Sequence, residues 1–119
     1  MKYVQNILEL KVIDAQNGQE LGVVNDLLFK VKSNQLAGIV VGNNKSNYLV
    51  PYNKLYSLGR DYVIVKNTKN LVEGDFEGFT ASQDLIGRKV VTNQGDSLGI
   101  VNDILLTEKG QLGGYELSD

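Results

Sequence analysis

Gly18-Gln19-Glu20-Leu21-Gly22-Val23-Val24-Asn25-Asp26-Leu27-Leu28 returns later in the chain as Gly95-Asp96-Ser97-Leu98-Gly99-Ile100-Val101-Asn102-Asp103-Ile104-Leu105. The two copies are offset by 77 residues, from 18 to 95. Read backward at that spacing, Leu8 aligns with Leu85, Lys11 with Arg88 and Ile13 with Val90. Read forward with one residue deleted, Gln35-Leu36-Ala37-Gly38 aligns with Gln111-Leu112-Gly113-Gly114. Self-similarity of this kind marks one supersecondary unit used twice. The first copy continues through Tyr48 to Lys66, whereas the second reaches Asp119 with only the first half of the unit.

The local signals are those of strands. Asn17-Gly18 predicts a tight type I′ hairpin turn, because both residues tolerate positive φ, and Gln94-Gly95 is its counterpart. Beyond the turn, Val23, Leu27, Phe29 and Val31 share one phase of a period-two pattern, and Val24, Asp26, Lys30 and Lys32 take the other. Leu36 to Val41 is an apolar, β-branched run, Asn43 to Asn47 a polar turn, and Tyr48-Leu49-Val50 a strand ended by Pro51, which has no N–H to donate. Tyr52 to Leu58 reads as an irregular corner and Asp61 to Lys66 as a closing strand. At most one short helix is expected, near Pro51 to Tyr56 or at Ser82 to Leu85. Short strands joined by tight turns bury their apolar faces by curling up. The expected fold is therefore all-β: a small closed or partly open antiparallel β-barrel over residues 1–70, a linker over 71–81, and a second, incomplete copy over 82–119.

Composition removes several chemistries. The formal charge is −2 and the pI about 5.1, with no basic run beyond pairs such as Arg88-Lys89, which read as solvated strand edges. This argues against a strong counterion-releasing surface for nucleic acid. Cysteine and histidine are both absent, which excludes disulfides, thiolate nucleophiles, Ser-His dyads and the usual zinc ligands. Polar residues interrupt Met1 to Val12, so no apolar leader or membrane-length run is read there, and a cytoplasmic location is expected.

The order of Leu8, Val12 or Ile13, Gly18, Leu21-Gly22-Val23-Val24, Asp26, the run Leu36 to Val41, Val50-Pro51, Leu55, Leu58-Gly59 and Asp61 to Val65 resembles the PRC-barrel family. That β-barrel is named after the H subunit of the photosynthetic reaction centre and is also found at the C-terminal end of a ribosome maturation factor. The resemblance covers most of residues 5 to 66, and then Leu85 to Leu117. It implies a non-catalytic adaptor for proteins, sometimes in ribonucleoprotein assembly, with no catalytic residues and no cofactor to carry over.

Three groups of residues stand out as candidate sites. Asn25-Asp26 and Asn102-Asp103 are polar pairs inside apolar strands; carboxylates there can hold a hard cation, but without an Asp-x-Asp-x-Asp-Gly loop they read as caps on a bulge or a neighbouring turn. Gly22 and Gly99 lack phosphate-loop spacing and read as close strand packing. Tyr48, Tyr52, Tyr56 and Tyr62 crowd the chain around Pro51, and phenols beside a polar rim suit a protein-binding surface. The functional expectation is an adaptor or assembly module that is not an enzyme, with a homodimer formed through residues 82–119. The alternatives are an RNA-processing or ribosome-associated factor and a small-ligand or metal-binding barrel.

Overall fold

The computed structural model describes residues 1–69, 71–74 and 76–119; the expected boundary at 70 falls outside the described residues. Twelve strands follow one another among them: β1 (Lys2–Tyr3), β2 (Lys11–Asp14), β3 (Glu20–Lys30), β4 (Leu36–Gly42), β5 (Asn47–Pro51), β6 (Leu55–Leu58), β7 (Tyr62–Val65), β8 (Val72–Glu73), β9 (Phe79–Ala81), β10 (Lys89–Val91), β11 (Ser97–Leu106) and β12 (Leu112–Ser118). Three short helical turns interrupt them, at Val4–Asn6, at Tyr52–Lys54 directly after Pro51, and in α1 (Ser82–Leu85). The allowance of one helix is corrected accordingly.

The fold is all-β. One sheet runs β6-β7-β2-β3-β4-β5-β8, with β9 added to β3, and its two ends do not pair with each other among the described residues. The barrel is thus partly open. Its pairings are antiparallel except β2 with β7, where Lys11 to Asp14 lie parallel to Tyr62 to Val65. The second sheet holds β1, β10 and β12 against the long strand β11.

The registers show that β2-β3-β4 and β10-β11-β12 are the same unit. Val12 faces Gly22 and Val90 faces Gly99; Leu27 faces Ile39 and Ile104 faces Tyr115. Gly22 (φ +144°) and Gly99 (φ +128°) are matched in detail, since a Cβ would overlap the carbonyl oxygen of Gly42 at the first and of Ser118 at the second. Strand β3 and strand β4 approach too closely there for any side chain.

Two readings change. First, the ungapped alignment of Leu8 with Leu85 slips by one: Val12 corresponds to Val90, 78 positions on, because the first hairpin is one residue longer. That hairpin is not a two-residue type I′ turn. Only Gly18 takes positive φ, at +73°, while Gly18 N–H donates to Asp14 O at 2.8 Å and Gln19 N–H donates to Asn17 Oδ1 at 2.8 Å, making a longer loop. Second, the strand phase of β3 reverses part-way. Val24 and Asp26 take successive partners Val41 and Val40, leaving Asn25 as an extra residue in a β-bulge. One extra residue moves every side chain beyond it to the other face. Val24, not Val23, is therefore buried together with Leu27 and Phe29, and Val31 lies outside the strand and exposed.

Residues from both copies build one core, among them Leu27, Phe29 and Leu36 from the first and Val101, Ile104 and Leu106 from the second. The copies meet at equivalent residues. Gln35 bridges to Gln111, Leu36 N–H donates to Gly110 O at 2.6 Å, and Leu112 N–H donates to Asn34 O at 2.9 Å. A local two-fold axis therefore passes between Gln35 and Gln111.

Candidate interaction surface

The repeated Asp is the hinge of that two-fold arrangement. Next to the bulge in β3, Asp26 Oδ1 accepts hydrogen bonds from Leu27 N–H at 2.9 Å, from the Ser82 hydroxyl and from Gln83 N–H at 3.2 Å. In β11, Asp103 Oδ1 accepts from Ile104 N–H at 2.8 Å and from Gln5 N–H at 3.0 Å. Each carboxylate thus fastens the opening turn of the other copy. The glutamines strengthen the exchange, with Gln83 Nε2 donating to Asn25 O and Gln5 Nε2 donating to Asn102 O. The strands do the same: β9 pairs with β3, and β1 with β11. Oδ1 of each carboxylate accepts from N–H donors, joined at Asp26 by an O–H donor, and no group of three or more acidic side chains gathers around either among the described residues.

Gln5 and Gln83 were not singled out in the sequence. They recur at a spacing of 78, and the shorter second hairpin shifts them out of the 77-residue alignment. Asn25 and Asn102 diverge in partner: Asn25 Nδ2 donates to Asn47 Oδ1 at 2.8 Å on β5, Asn102 Nδ2 to Glu116 Oε1 at 2.7 Å on β12. The Glu116 carboxylate, with burial adding to its effect, raises the pKa of the nearby Tyr3 hydroxyl.

The four tyrosines do not form one patch. Tyr52 and Tyr56 line an open groove of 560 Å³ with Met1, Leu55 and Leu106, so that groove lies where the two copies meet. Tyr52 is half-buried against the core, with its ring over Gly110, while Tyr56 is exposed. Tyr48 belongs to a different groove, beside Leu21, Val41, Val50 and Leu71, and Ser46 donates to its hydroxyl at 3.0 Å. Tyr62 lies on β7 opposite Lys11 and is exposed.

A second set of exposed apolar side chains lies on the second copy. In the first copy β5 pairs with β4 and β7 with β2; in the second, among the described residues, the outer edges of β12 and β10 carry no strand. The consequence is visible at matched positions. Ile39 and Val41 are 0% and 2% exposed, whereas their counterparts Tyr115 and Leu117 are 43% and 38% exposed. Leu98 and Val91, the counterparts of half-buried Leu21 and Ile13, are 55% and 60% exposed. Sequence reasoning pointed to the crowded tyrosines and missed Tyr115, whose only signal is its alignment with Ile39.

No helix among the described residues is long and apolar enough to cross a membrane. No curated protein matches the chain. The family model described as "PRC-barrel domain" matches residues 1–72 and 77–119, spanning both copies of the repeated unit. The chain belongs to the PRC-barrel domain family.

Proposed function

We propose that this protein is a non-catalytic assembly module whose second copy, residues 82–119, is its protein-binding face and joins a second molecule to form a homodimer. The observation that carries this reading is the contrast between Ile39 and Val41, buried where β5 pairs beside them, and Tyr115 and Leu117, exposed on β12, which pairs only with β11 among the described residues. An edge strand with an apolar face is a template for another chain. Two-fold pairing is the commonest way for soluble chains to cover such a surface. The absence of cysteine and histidine and the structural use of Asp26 and Asp103 favour assembly over catalysis or metal binding.

Sedimentation equilibrium over a wide concentration range tests the proposal. The protein sediments as a dimer, and Leu117→Asp or Leu98→Asp shifts it to monomer with the fold retained by circular dichroism. Tyr56→Asp, in the groove between the two copies, leaves the dimer intact. A monomer at every concentration overturns the homodimer; dissociation by Tyr56→Asp alone moves the interface to the tyrosine groove.

A further inference from the structure

We infer that the open face of the second copy receives the second half of a repeated unit from a different polypeptide: a segment patterned like residues 47–65 of this chain, with a basic residue at the position of Leu49 and a small one at that of Tyr52. The inference rests on residues 82–119 being a protein-binding face, and it adds an occupant that competes with the homodimer.

The first copy shows what such a face takes. Its β5 pairs with β4 through Asn47 to Pro51, its β7 with β2 through Tyr62 to Val65, and its β6 with β7. From this half Val50, Val63 and Val65 are fully buried, and Leu55 and Leu58 pack against the same core. They lie where Ile39 and Val41, the counterparts of Tyr115 and Leu117, are buried.

The receiving strands are reproduced in the second copy. Leu28 and Phe29 face Gly38 and Leu36, leaving Ala37 as an extra residue, just as Leu105 and Leu106 face Gly114 and Leu112, leaving Gly113 extra. β5 pairs only beyond that bulge, with Gly38 to Gly42, so the corresponding stretch of β12 is Gly114 to Ser118. The main chain there has the same direction. Leu27 N–H donates to the Asp26 carboxylate and Ile104 N–H to that of Asp103, although the two residues face Ile39 and Tyr115 in their ladders. Facing residues of an antiparallel ladder exchange both hydrogen bonds or none. Tyr115 therefore turns its N–H and C=O to the outer edge, as Ile39 turns its own toward Val50. The seat for the incoming backbone is also kept. A Cβ at Gly38 would overlap the Val50 carbonyl and lie 3.0 Å from Pro51 Cα, whereas at Gly114 the nearest atom beyond its chain neighbours is Cδ1 of Leu105, at 3.9 Å.

Two differences between the copies select the occupant. Val40, which faces Leu49, is replaced in the second copy by the exposed carboxylate of Glu116. Opposite charges directly across a ladder are favourable, so the incoming strand carries Lys or Arg there. The ring of Tyr52 lies over Gly110, with Cε1 2.5 Å from where a Cβ would stand. Across the local axis Gly110 is answered by Asn34, which has a Cβ, so an incoming aromatic ring at that position collides with it. This chain's own residues 47–65 fail on both counts, which assigns the face to a different polypeptide.

Two synthetic peptides added to the full chain test the inference: residues 46–66 with Leu49→Lys and Tyr52→Ser, and the same segment with Leu49→Glu and Tyr52→Ser. At low salt the first binds about fivefold tighter than the second, and Glu116→Lys in the protein reverses the order. Binding shifts the amide resonances of residues 89–92 and 114–118, and Leu117→Asp abolishes it for both peptides. In sedimentation, saturating peptide converts the homodimer to a monomer with peptide bound. Absence of binding, equal affinity of the two peptides, or shifts confined to the first copy overturns the inference. A protein that is monomeric at every concentration yet binds with the charge reversal upholds the inference and loses only the homodimer; a homodimer that neither peptide enters does the opposite.

Discussion

At the scale of single residues, charge and burial assign sharply different consequences to neighbouring positions. Leu27 is fully buried, whereas Lys30, three residues on in the same strand, is exposed. Leu27→Asp forces a carboxylate with no partner into the core and is expected to destabilise by roughly 3–5 kcal/mol; Lys30→Asp changes stability by less than about 0.5 kcal/mol. Denaturant titration of both variants checks this, and equal losses would mean the faces of β3 are misassigned. Asp14 carries the pH dependence. The Thr68 hydroxyl donates to its Oδ2 at 2.7 Å and Gln16 N–H to its Oδ1 at 2.8 Å, which lowers its pKa below the ordinary 3.8. A carboxyl whose folded pKa is lowered contributes stability that is present above the ordinary value and lost as pH falls through the folded one. Thr68→Val returns Asp14 toward its ordinary value. The variant is expected to be less stable at neutral pH and to lose stability less steeply in acid, as urea melts at pH values from about 2 to 7 would show. An unchanged acid slope would remove Asp14 from the account.

At the scale of elements, the exchange of opening turns makes the two copies interdependent in a crossed sense. Asp103→Ala leaves the N–H groups of Gln5 and Ile104 without their acceptor and is expected to cost about 1–3 kcal/mol. Its local effect appears at the other end of the chain: amide exchange accelerates over residues 3–8. Asp26→Ala instead accelerates exchange over residues 80–86. If each variant loosens only its own copy, the crossed docking is wrong. Much of this architecture was legible beforehand. The 77-residue recurrence, the strand runs and the stop at Pro51 follow from turn residues and alternation, which are local. The crossed pairing was not legible, because β1 and β9, two- and three-residue strands, are too short to show a period. The bulges at Asn25 and Asn102 were signalled only by the Asp pairs, which read as caps on a bulge or a neighbouring turn, and the reversal of strand phase that follows them was hidden. An inserted residue looks like noise in an alternating pattern, and its position depends on which residues of β4 and β12 lie opposite. For the same reason Tyr115 went unnoticed as a surface residue: its exposure is decided by the absence of a neighbouring strand among the described residues, not by its own neighbours in sequence.

At the scale of the molecule, the local two-fold axis between Gln35 and Gln111 has a consequence for the first copy alone. In the sequence, a chain ended at residue 70 reads as a self-sufficient monomeric barrel, but the structure gives it two unmet needs. Its β1 and Val4–Asn6 turn would lose β11, and its β3 would lose β9 and α1. Each need is the complement of the other, so two such fragments satisfy both by exchange, with Gln5 of each donating to Asp26 of its mate. A fragment ending at Gly74 is therefore expected to dimerise. One contact opposes it. Where the whole chain has Gly110 against the Tyr52 ring, the exchanged fragment has Asn34, the residue that answers Gly110 across the axis. A Cβ at Gly110 would lie 2.5 Å from Cε1 of Tyr52, so the fragment must move that ring aside. Asn34 also holds a φ of +56°, which glycine adopts at no steric cost. Asn34→Gly removes both obstacles and is expected to tighten the fragment dimer by about 1–2 kcal/mol, a gain of roughly five- to thirtyfold in association. Sedimentation equilibrium of the two fragments side by side gives the answer. A folded, monomeric Gly74 fragment with protected amides in residues 2–8 would show that the first copy closes on itself, and the exchange would then be a property of the tandem alone.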